Sequence, residues 1–342
     1  MSGGAGVAVR TGLRLLLAAA GVCCAAAAIA DAPDPEVDSF IARVAIEHHF
    51  ERAQLERWFA RTRVQDGVLR AISQPATARP WYEFRASQLT PARIKAGLEY
   101  WRLHRRALAR ARAEYGIPEE ILVATIGVET FYGRRTGTSG AFDALYTLAF
   151  HYPPRAEFFR GELEEFLLLA RELHVDPLRM KGSYAGALGI AQFLPGSYRS
   201  YAVDFDGDGR RDLWNPSDAI GSIANYYRSH EWQPGGPVAV AIELPVDGPS
   251  DELKLLLAGR LEPHTTIAEI RRTGAAPAEP VPADALASVF AVQTESGPGY
   301  WLGFNNFRVI TRYNRSVNYA LAVHELAREL VRARRDARSR DQ

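Results

Sequence analysis

The stretch ILVATIGVETFYGRR, residues 121–135, carries one acidic side chain, Glu129, after a run of apolar and small residues. Pro118 before the run and Gly133 after it predict a helix that begins at the proline and ends near the glycine. Glu129 would then lie near the C-terminus of an apolar helix. Both burial and the helix dipole disfavour a negative charge at that place.

Two roles are compatible with an acid in such surroundings. One is an ion pair with Arg134 or Arg135, because a buried charge is costly unless it is paired. The other is a general acid whose raised pKa keeps it protonated at neutral pH. The position of Glu129 alone leaves both roles open.

The composition is that of a soluble protein with two or three packed units: 342 residues, of which 47% are hydrophobic and 24% charged. Its first thirty residues are predicted to be a cleaved secretory signal. Arg10 and Arg14 precede the apolar run LLLAAAGVCCAAAAIA, and the small residues Ala28 and Ala30 form the cleavage site. Removal of the two arginines changes the formal net charge from +1 to −1, so no global charge indicates a nucleic-acid partner.

Both cysteines, Cys23 and Cys24, lie inside this signal. The mature chain would therefore contain none and would need no disulfide in an oxidising compartment. An alternative that stays open is a lipid anchor on Cys23, although Val22 is bulky for the position before such a site.

The hydrophobic patterns predict a mainly α (α+β) fold, in which residues after Pro234 change to strand-like segments such as VAVAIELPV and ASVFAVQTESGPGYWL. The helical part should include one long helix with Thr90 as its N-cap, Pro91 at its first position and Gly116 as its end. The predicted parts are a signal peptide at 1–30, an N-terminal helical domain at 31–116, a helical core at 117–234, a small β-containing domain at 235–305, and a segment at 306–342 that returns to pack on the core and the helical domain.

The segment DFDGDGRRDLWNP, residues 204–216, resembles a calcium-binding loop, because its alternating aspartates and Gly209 match the first six positions of such a loop. Position 12 is Asn215 and not the usual glutamate. Asp218, in the first turn of a helix that should start at Asn215 and Pro216, could complete a lengthened loop. A solvated acidic turn without metal is the alternative. The candidate ligands are Asp204, Asp206, Asp208, the backbone carbonyl of Arg210, and Asp218, and the Ca²⁺ would be structural.

The glycine-rich stretch GSYAGALGIAQFLP, residues 182–195, surrounds Ser183 and Gln192 and is typical either of a backbone that approaches a ligand closely or of an irregular core loop. Arg155 could pair with a substrate carboxylate, although a surface arginine is the default. Five tyrosines could stack on sugar rings or belong to the core. They are Tyr132, Tyr184, Tyr226, Tyr313 and Tyr319.

Four stretches together resemble the bacterial lytic murein transglycosylase B family, and the similarity runs from about Phe40 to Leu330. The stretches are GVETFYGRRTGT, ALYTLAFHYPPRAEFFRGELEEFLLLA, KGSYAGALGIAQFLPGSYRSYAVDFDGDGRRDLWNPSDAIGSIANYY and ITRYNRSVNYALAV. The resemblance implies a lysozyme-like helical catalytic core with an EF-hand-type calcium loop, flanked by an α and a β domain. It also implies a periplasmic enzyme that cleaves the β-1,4 bond between N-acetylmuramic acid and N-acetylglucosamine in peptidoglycan and forms a 1,6-anhydromuramyl product.

By the same resemblance, Glu129 matches the sole catalytic acid and base of the family. Six positions match residues that line the sugar cleft of the family: Ser183, Gln192, Tyr226, Tyr313, Asn314 and Tyr319. The candidate calcium ligands named above match the calcium ligands of the family. Arg155 matches an arginine that holds the peptide stem. The chain departs from the family pattern at Pro154, where a second arginine is expected, which leaves open how tightly the stem is held.

The family mechanism agrees with the residues, because the sequence offers no obvious second carboxylate for a retaining or inverting hydrolase. Glu129 would donate its proton to the leaving oxygen and then accept one from the muramyl 6-hydroxyl, while the substrate acetamido group stabilises the reacting carbon. Tyr313 and Asn314 would hydrogen-bond the acetamido group or the ring. A hydrolytic muramidase and a non-catalytic wall-binding scaffold are the alternatives.

The expected partners are peptidoglycan glycan strands, with proteins of cell-wall synthesis left open and no nucleic acid. We expect a monomer without an organic cofactor.

Overall fold

A computed structural model describes Met1 and residues 34–340, so the predicted signal peptide and the anchor candidate Cys23 lie outside the described residues. The fifteen helices in that range are α1 (Pro35–His48), α2 (Arg52–Phe59), α3 (Asp66–Ser73), α4 (Trp81–Gln88), α5 (Pro91–Leu103), α6 (Arg105–Tyr115), α7 (Glu119–Thr130), α8 (Ala141–His151), α9 (Ala156–Glu172), α10 (Pro195–Tyr201), α11 (Pro216–Ser229), α12 (Asp251–Leu257), α13 (Ile267–Arg272), α14 (Asn305–Tyr313) and α15 (Val317–Arg340). Within this range we find no helix whose length and apolar character would let it cross a membrane.

The caps predicted for the first long helix are present, but the helix itself is divided. The Thr90 side chain accepts a hydrogen bond from the Arg93 N–H at 3.2 Å, and Gly116 ends α6 in the left-handed conformation. Between them His104 leaves the helical conformation, with φ −104° and ψ 21°, and its ring packs on Tyr100 at 4.3 Å. The prediction of one continuous helix was therefore wrong.

The strands form two antiparallel sheets. They are β1 (Ser139–Gly140), β2 (Lys181–Gly182), β3 (Ala239–Glu243), β4 (Thr265–Thr266), β5 (Ala276–Pro277), β6 (Leu286–Thr294) and β7 (Gly297–Gly303). The strands β1 and β2 pair with each other, and the other five follow the order β4-β6-β7-β3-β5. The larger sheet contains both segments that the sequence predicts as strands. It encloses a second apolar core of its own, which includes Val240, Leu253, Ile270 and Leu302. The exact domain boundaries stay a prediction.

The helix α7 lies at the centre of the larger core, and its residues 121–127 are all buried. The C-terminal helix α15 packs along it in the antiparallel direction. Tyr319 near the start of α15 reaches Glu129 near the end of α7, while Arg334 lies 3.9 Å from Glu119 at the start of α7. The return of the chain after residue 305 therefore covers the helix that carries Glu129.

Gly97 of α5 allows close packing at this centre. A Cβ atom at this position would lie 2.3 Å from the Tyr132 hydroxyl and 2.6 Å from a Leu330 methyl group. We expect Gly97→Ala to lower the free energy of unfolding by about 1–3 kcal/mol because the added methyl overpacks the core. Denaturant unfolding monitored by circular dichroism measures this change.

Gly161 in α9 is the matched control, because a Cβ there would meet no atom within 4 Å. Gly161→Ala should leave stability unchanged or raise it by up to about 1 kcal/mol, since alanine favours the helix. Equal effects of the two substitutions would contradict the packing argument.

Candidate active site

Glu129 occupies the penultimate position of α7, in agreement with the sequence prediction. The helix ends three residues before Gly133, because Phe131 and Tyr132 adopt left-handed conformations with φ 49° and 62°. Thr130 stabilises this end of the helix. Its hydroxyl donates to the carbonyl of Ile190 at 3.2 Å and accepts the Gly133 N–H at 2.9 Å. The predicted helix stop at Gly133 was therefore late.

The Glu129 carboxyl retains partial solvent exposure, yet most of its surroundings are protein. Burial raises its pKa to about 7, against the downward effect of one hydrogen bond from Tyr319. The Tyr319 hydroxyl donates to Oε1 of Glu129 at 2.6 Å. No charged group of residues 34–340 adds to these two influences. The pKa of the carboxyl is therefore determined by desolvation and by a neutral hydrogen-bond donor.

The structure does not show the alternative role of Glu129 as the partner of Arg134 or Arg135 in an ion pair. Arg134 lies 3.9 Å from Glu99, and the guanidinium groups of Arg134 and Arg135 stand 5.6 and 5.4 Å from the centre of the Phe131 ring. In the described part of the chain, neither arginine bonds Glu129. The carboxyl is thus left free to hold a proton near neutral pH.

Three of the predicted cleft tyrosines join different elements around Glu129. The Tyr313 hydroxyl donates to the Ala191 carbonyl, and the Tyr226 hydroxyl donates to the Arg312 carbonyl at 2.7 Å. The rings of Tyr313 and Tyr319 are parallel, with centroids 6.4 Å apart. The hydroxyls of Tyr226, Tyr313 and Tyr319 therefore all donate their protons to protein acceptors. Only the lone pairs of these oxygens could accept a hydrogen bond from a ligand.

The glycine-rich stretch folds back on the protein itself. Added Cβ atoms at Gly186 and Gly189 would lie 2.5 Å from side-chain atoms of Leu145 and Leu213, respectively. The Ser183 hydroxyl accepts backbone N–H groups from Ala185 and Ala187. The glycines are thus required by packing against neighbouring segments, as expected for the irregular core loop.

Gln192 in the same stretch adopts a left-handed conformation with φ 51°. Its side-chain nitrogen donates to the carbonyls of Thr136 at 3.1 Å and Gly189 at 2.8 Å. The amide oxygen accepts no hydrogen bond from the residues that the structure describes, so it can accept one from a ligand. Backbone strain at this position is consistent with a functional site.

The other sequence candidates divide by exposure. Asn314 caps the end of α14 and is exposed, next to the partly buried Tyr313. Tyr184 is 38% exposed, and the charge of Glu129 raises its pKa in addition to burial, the larger cause. Tyr132 is instead buried between α5 and α7 against Tyr100, so its ring belongs to the core.

Arg155 is not joined to this group by contacts. Its guanidinium lies over Phe158 and Phe159 at 4.4 and 5.0 Å from the ring centres. It is exposed at the start of α9. A role with substrate stays a prediction for this residue.

The acidic loop brings three of its predicted ligands together. Carboxylate oxygens of Asp204, Asp206 and Asp218 lie within 4.8 Å of one another. The Asp208 carboxylate is outside that group and accepts the N–H of Arg210 at 2.8 Å. Oxygen ligands from alternating aspartates are those that Ca²⁺ prefers.

Asp218 is the buried member of the cluster, with no exposed surface. It lies in the first turn of α11, which begins with Asn215 as N-cap and Pro216 at N1, as predicted. Its carboxylate accepts the N–H groups of Phe205 at 2.7 Å and Asp212 at 2.8 Å. Desolvation and the nearby charge of Asp206 raise its pKa, while these N–H groups lower it, so a bound cation would relieve a real electrostatic cost.

Sequence reasoning missed several residues that shape the site. Thr125 and Tyr227 are buried side by side, with their hydroxyls 2.9 Å apart, under Glu129 in the core. Tyr227 directly follows the predicted Tyr226, which was the one available signal for it. Nothing local indicates that Thr130 would bond a loop sixty residues away.

The chain is similar to a known protein family and to a curated protein. Residues 32–328 match the model of the Transglycosylase SLT domain family. The chain is 41% identical over 313 residues to the membrane-bound lytic murein transglycosylase B of Escherichia coli (strain K12), covering 89% of this chain and 84% of that protein.

Solved structures give the same result for the fold. The soluble lytic transglycosylase SltB1 from Pseudomonas aeruginosa is 46% identical, with a TM-score of 0.79 over 88% of this chain and 99% of that one. The Escherichia coli lytic transglycosylase Slt35, solved in complex with calcium, is 41% identical, with a TM-score of 0.80 over 89% of this chain and 95% of that one. The predicted mainly helical, lysozyme-like fold is confirmed, and the chain belongs to the Transglycosylase SLT domain family.

Proposed function

We infer that this protein is a lytic transglycosylase that acts on peptidoglycan, and we propose that the carboxyl of Glu129 performs its acid and base steps. The observation that carries the proposal is a carboxyl with a pKa near 7 and one neutral hydrogen-bond donor, at the end of a buried helix. Membership of the family and 41% identity to a murein transglycosylase support the substrate class. The related SltB3 from Pseudomonas aeruginosa, 32% identical with a TM-score of 0.74, was solved with NAG-NAM-pentapeptide.

In the first step Glu129 donates its proton to the glycosidic oxygen that leaves. A carboxyl with a pKa near 7 is protonated in a useful fraction of molecules at neutral pH, and it is still acidic enough to transfer the proton. Breaking the bond leaves positive charge on the muramyl carbon. We assign the stabilisation of this carbon to the substrate acetamido group, since no second carboxylate of the described residues acts on Glu129.

In the second step the ionised Glu129 accepts the proton of the muramyl 6-hydroxyl, whose oxygen attacks the sugar carbon and closes the 1,6-anhydro ring. Tyr319 stabilises the carboxylate at this stage through its hydrogen bond. Ser183, Gln192, Tyr226, Tyr313 and Asn314 line the proposed cleft. Of these, Gln192 and Asn314 offer amide groups suited to the acetamido group of the substrate.

The acidic loop is proposed to hold Ca²⁺ through Asp204, Asp206 and Asp218, with Asp208 and the Arg210 carbonyl as further ligands after rearrangement. The converging carboxylates and the related structure solved with calcium support this proposal. The ion would neutralise the loop and hold α11 against it. It takes no part in the acid and base steps, which belong to Glu129.

A periplasmic location is proposed from the signal sequence, and a relative of this chain is named a membrane-bound enzyme. Cleavage after Ala30 and a lipid anchor on Cys23 stay alternatives. Peptidoglycan strands are the proposed partner, and a monomeric state stays a prediction.

Glu129→Gln should abolish cleavage of purified peptidoglycan while the fold persists, with a rate loss of at least about 10³ because glutamine can neither donate nor accept the proton. Mass spectrometry of the products measures the reaction, since an anhydro product is one water lighter than a hydrolysed one. Glu99→Gln, which changes an exposed glutamate beside Arg134, is the control and should cleave normally. Hydrolysed products from the wild type would indicate a muramidase instead.

The pH dependence of kcat/KM should follow the protonated form of Glu129. The pKa is raised, so activity as an acid is full at low pH and is lost as pH rises through about 7. In Tyr319→Phe the carboxylate loses a donor that lowers its pKa, so the falling limb should shift upward by about one pH unit. Tyr82→Phe changes a hydroxyl bonded to the exposed Glu83 and should leave the limb in place. A shift to lower pH in Tyr319→Phe would refute this account.

Calcium should raise the melting temperature of the wild type, by an increment that corresponds to about 2.7 kcal/mol at 100 times the dissociation constant. A chelator should remove this increment and affect intrinsic activity much less. Asp206→Asn should lose the increment, whereas Asp284→Asn, outside the loop, should keep it. Calorimetric curves that coincide with and without calcium would exclude the site.

A further inference from the structure

A surface pocket of about 880 Å³ lies beside the acidic loop, outside the group around Glu129. The end of α9, the segment 179–181 and the segment 209–214 form its walls. Arg179, Lys181 and Arg210 line it together with the indole of Trp214. We call this the basic pocket.

The cations of the basic pocket are not used by the fold. The side chains of Arg179, Lys181 and Arg210 make no ion pair or hydrogen bond to any residue in the described range. Arg211, by contrast, bonds Glu172 at 3.1 Å. Since Glu172 is already paired, the pocket presents an excess of uncompensated positive charge.

The acids at the pocket do not cancel this charge. Arg199 and Arg211 both contact Glu172, at 2.8 and 3.1 Å. Asp212 accepts the backbone N–H of Trp214 at 2.8 Å. Asp212 keeps its negative charge, but four lining cations (Arg179, Lys181, Arg210 and Arg211) stand against two lining acids, so an anion that enters the pocket meets an excess of positive charge.

Trp214 supplies an apolar face beside these cations. The residue is 39% exposed and stacks on no aromatic ring of the described residues. Its backbone is fixed by the bond to Asp212, whose own N–H donates to the buried Asp218 at 2.8 Å. The ring therefore offers an apolar face to a ligand beside the cations.

The basic pocket is joined rigidly to the site of Glu129. Lys181 lies in β2, where it pairs with Gly140, two residues before Ser183. The Ile190 N–H donates to the Leu213 carbonyl at 2.7 Å, which ties the segment before Trp214 to the glycine-rich stretch. The carbonyl of the same Ile190 accepts the hydroxyl of Thr130 at 3.2 Å, and Thr130 directly follows Glu129.

We propose that the basic pocket binds the carboxylate-bearing peptide stem of the glycan strand whose sugar bond lies at Glu129, an inference that rests on the proposed function. The free cations pair with stem carboxylates, and Trp214 packs against the alkyl parts of the peptide. This site is separate from Arg155, which lies at the start of α9 over Phe158, because the pocket lies at the other end of that helix, about 25 Å away at 1.5 Å per residue. Stem recognition then depends on the segment that leads directly into β2.

The test compares glycan strands that carry stems with strands from which an amidase has removed them. The double variant Arg179→Gln/Lys181→Gln should raise KM about tenfold on stem-bearing strands, with kcat unchanged. It should leave both constants unchanged on stem-free strands. Added salt should reduce the difference, because exposed charges are screened. Trp214→Ala should also raise KM on stem-bearing strands alone.

Arg260→Gln/Arg271→Gln is the matched control, since it removes the same charge from exposed arginines between β3 and β5. It should leave KM unchanged on both substrates. An equal KM for wild type and the Arg179/Lys181 variant on stem-bearing strands, or an equal rise on both substrates, would overturn the proposal.

A binding measurement separates this proposal from the proposed function. In the Glu129→Gln background, calorimetric titration with a free stem tetrapeptide should give binding that the Arg179→Gln/Lys181→Gln substitutions remove. Absence of any binding in the unsubstituted pocket overturns the peptide site. Failure of the wild type to form anhydro products on stem-free strands would instead overturn the proposed function and leaves the titration result standing.

Discussion

The whole arrangement depends on the desolvation of one carboxyl. Glu129 stands near the end of a helix whose preceding turns are fully buried, and protein surrounds most of the group. The helix dipole at this end adds no help for a negative charge. The neutral hydroxyl of Tyr319 is its hydrogen-bond donor, which limits the upward shift of the pKa without forcing ionisation. A cation in place of Tyr319 would fix the carboxylate and remove the acid.

The hydrogen-bond donor of Glu129 comes from a distant part of the chain, and the packing of α15 on α7 brings the two residues together. Tyr319 follows the sheet of β3 to β7 and reaches Glu129 because α15 runs antiparallel to α7. At the other end of the pair, Trp101 donates to Glu119 at 2.6 Å, and the guanidinium of Arg334 stands over the Trp101 ring. Fixing both ends of α7 restricts its rotation, and so holds the carboxyl in one direction. The β-containing part is thus an insertion between two segments of one core.

Features with local causes could be predicted from the sequence. The caps at Thr90, Gly116 and Asn215 depend on one residue and its neighbours, and the structure contains all three. The placement of Glu129 at a helix end and the convergence of three aspartates follow from spacing. The bonds of Tyr313 and Thr130 could not be predicted, because they join segments separated by 60 or more residues. The break at His104 has no local sequence signal, and nothing in the structure explains it.

The early end of α7 shows how distant packing can decide the geometry of the proposed catalytic carboxyl. Two consecutive non-glycine residues, Phe131 and Tyr132, adopt left-handed conformations, each at a cost of about 1–2 kcal/mol. Three arginines around the Phe131 ring and the fit of Tyr132 against Gly97 and Gly127 offset this strain. If the helix continued to Gly133, Glu129 would lie a full turn inside it and its backbone would face another helical turn. Ending the helix at Thr130 leaves the carboxyl at an edge where burial raises its pKa and where partial exposure allows the proposed contact with a sugar.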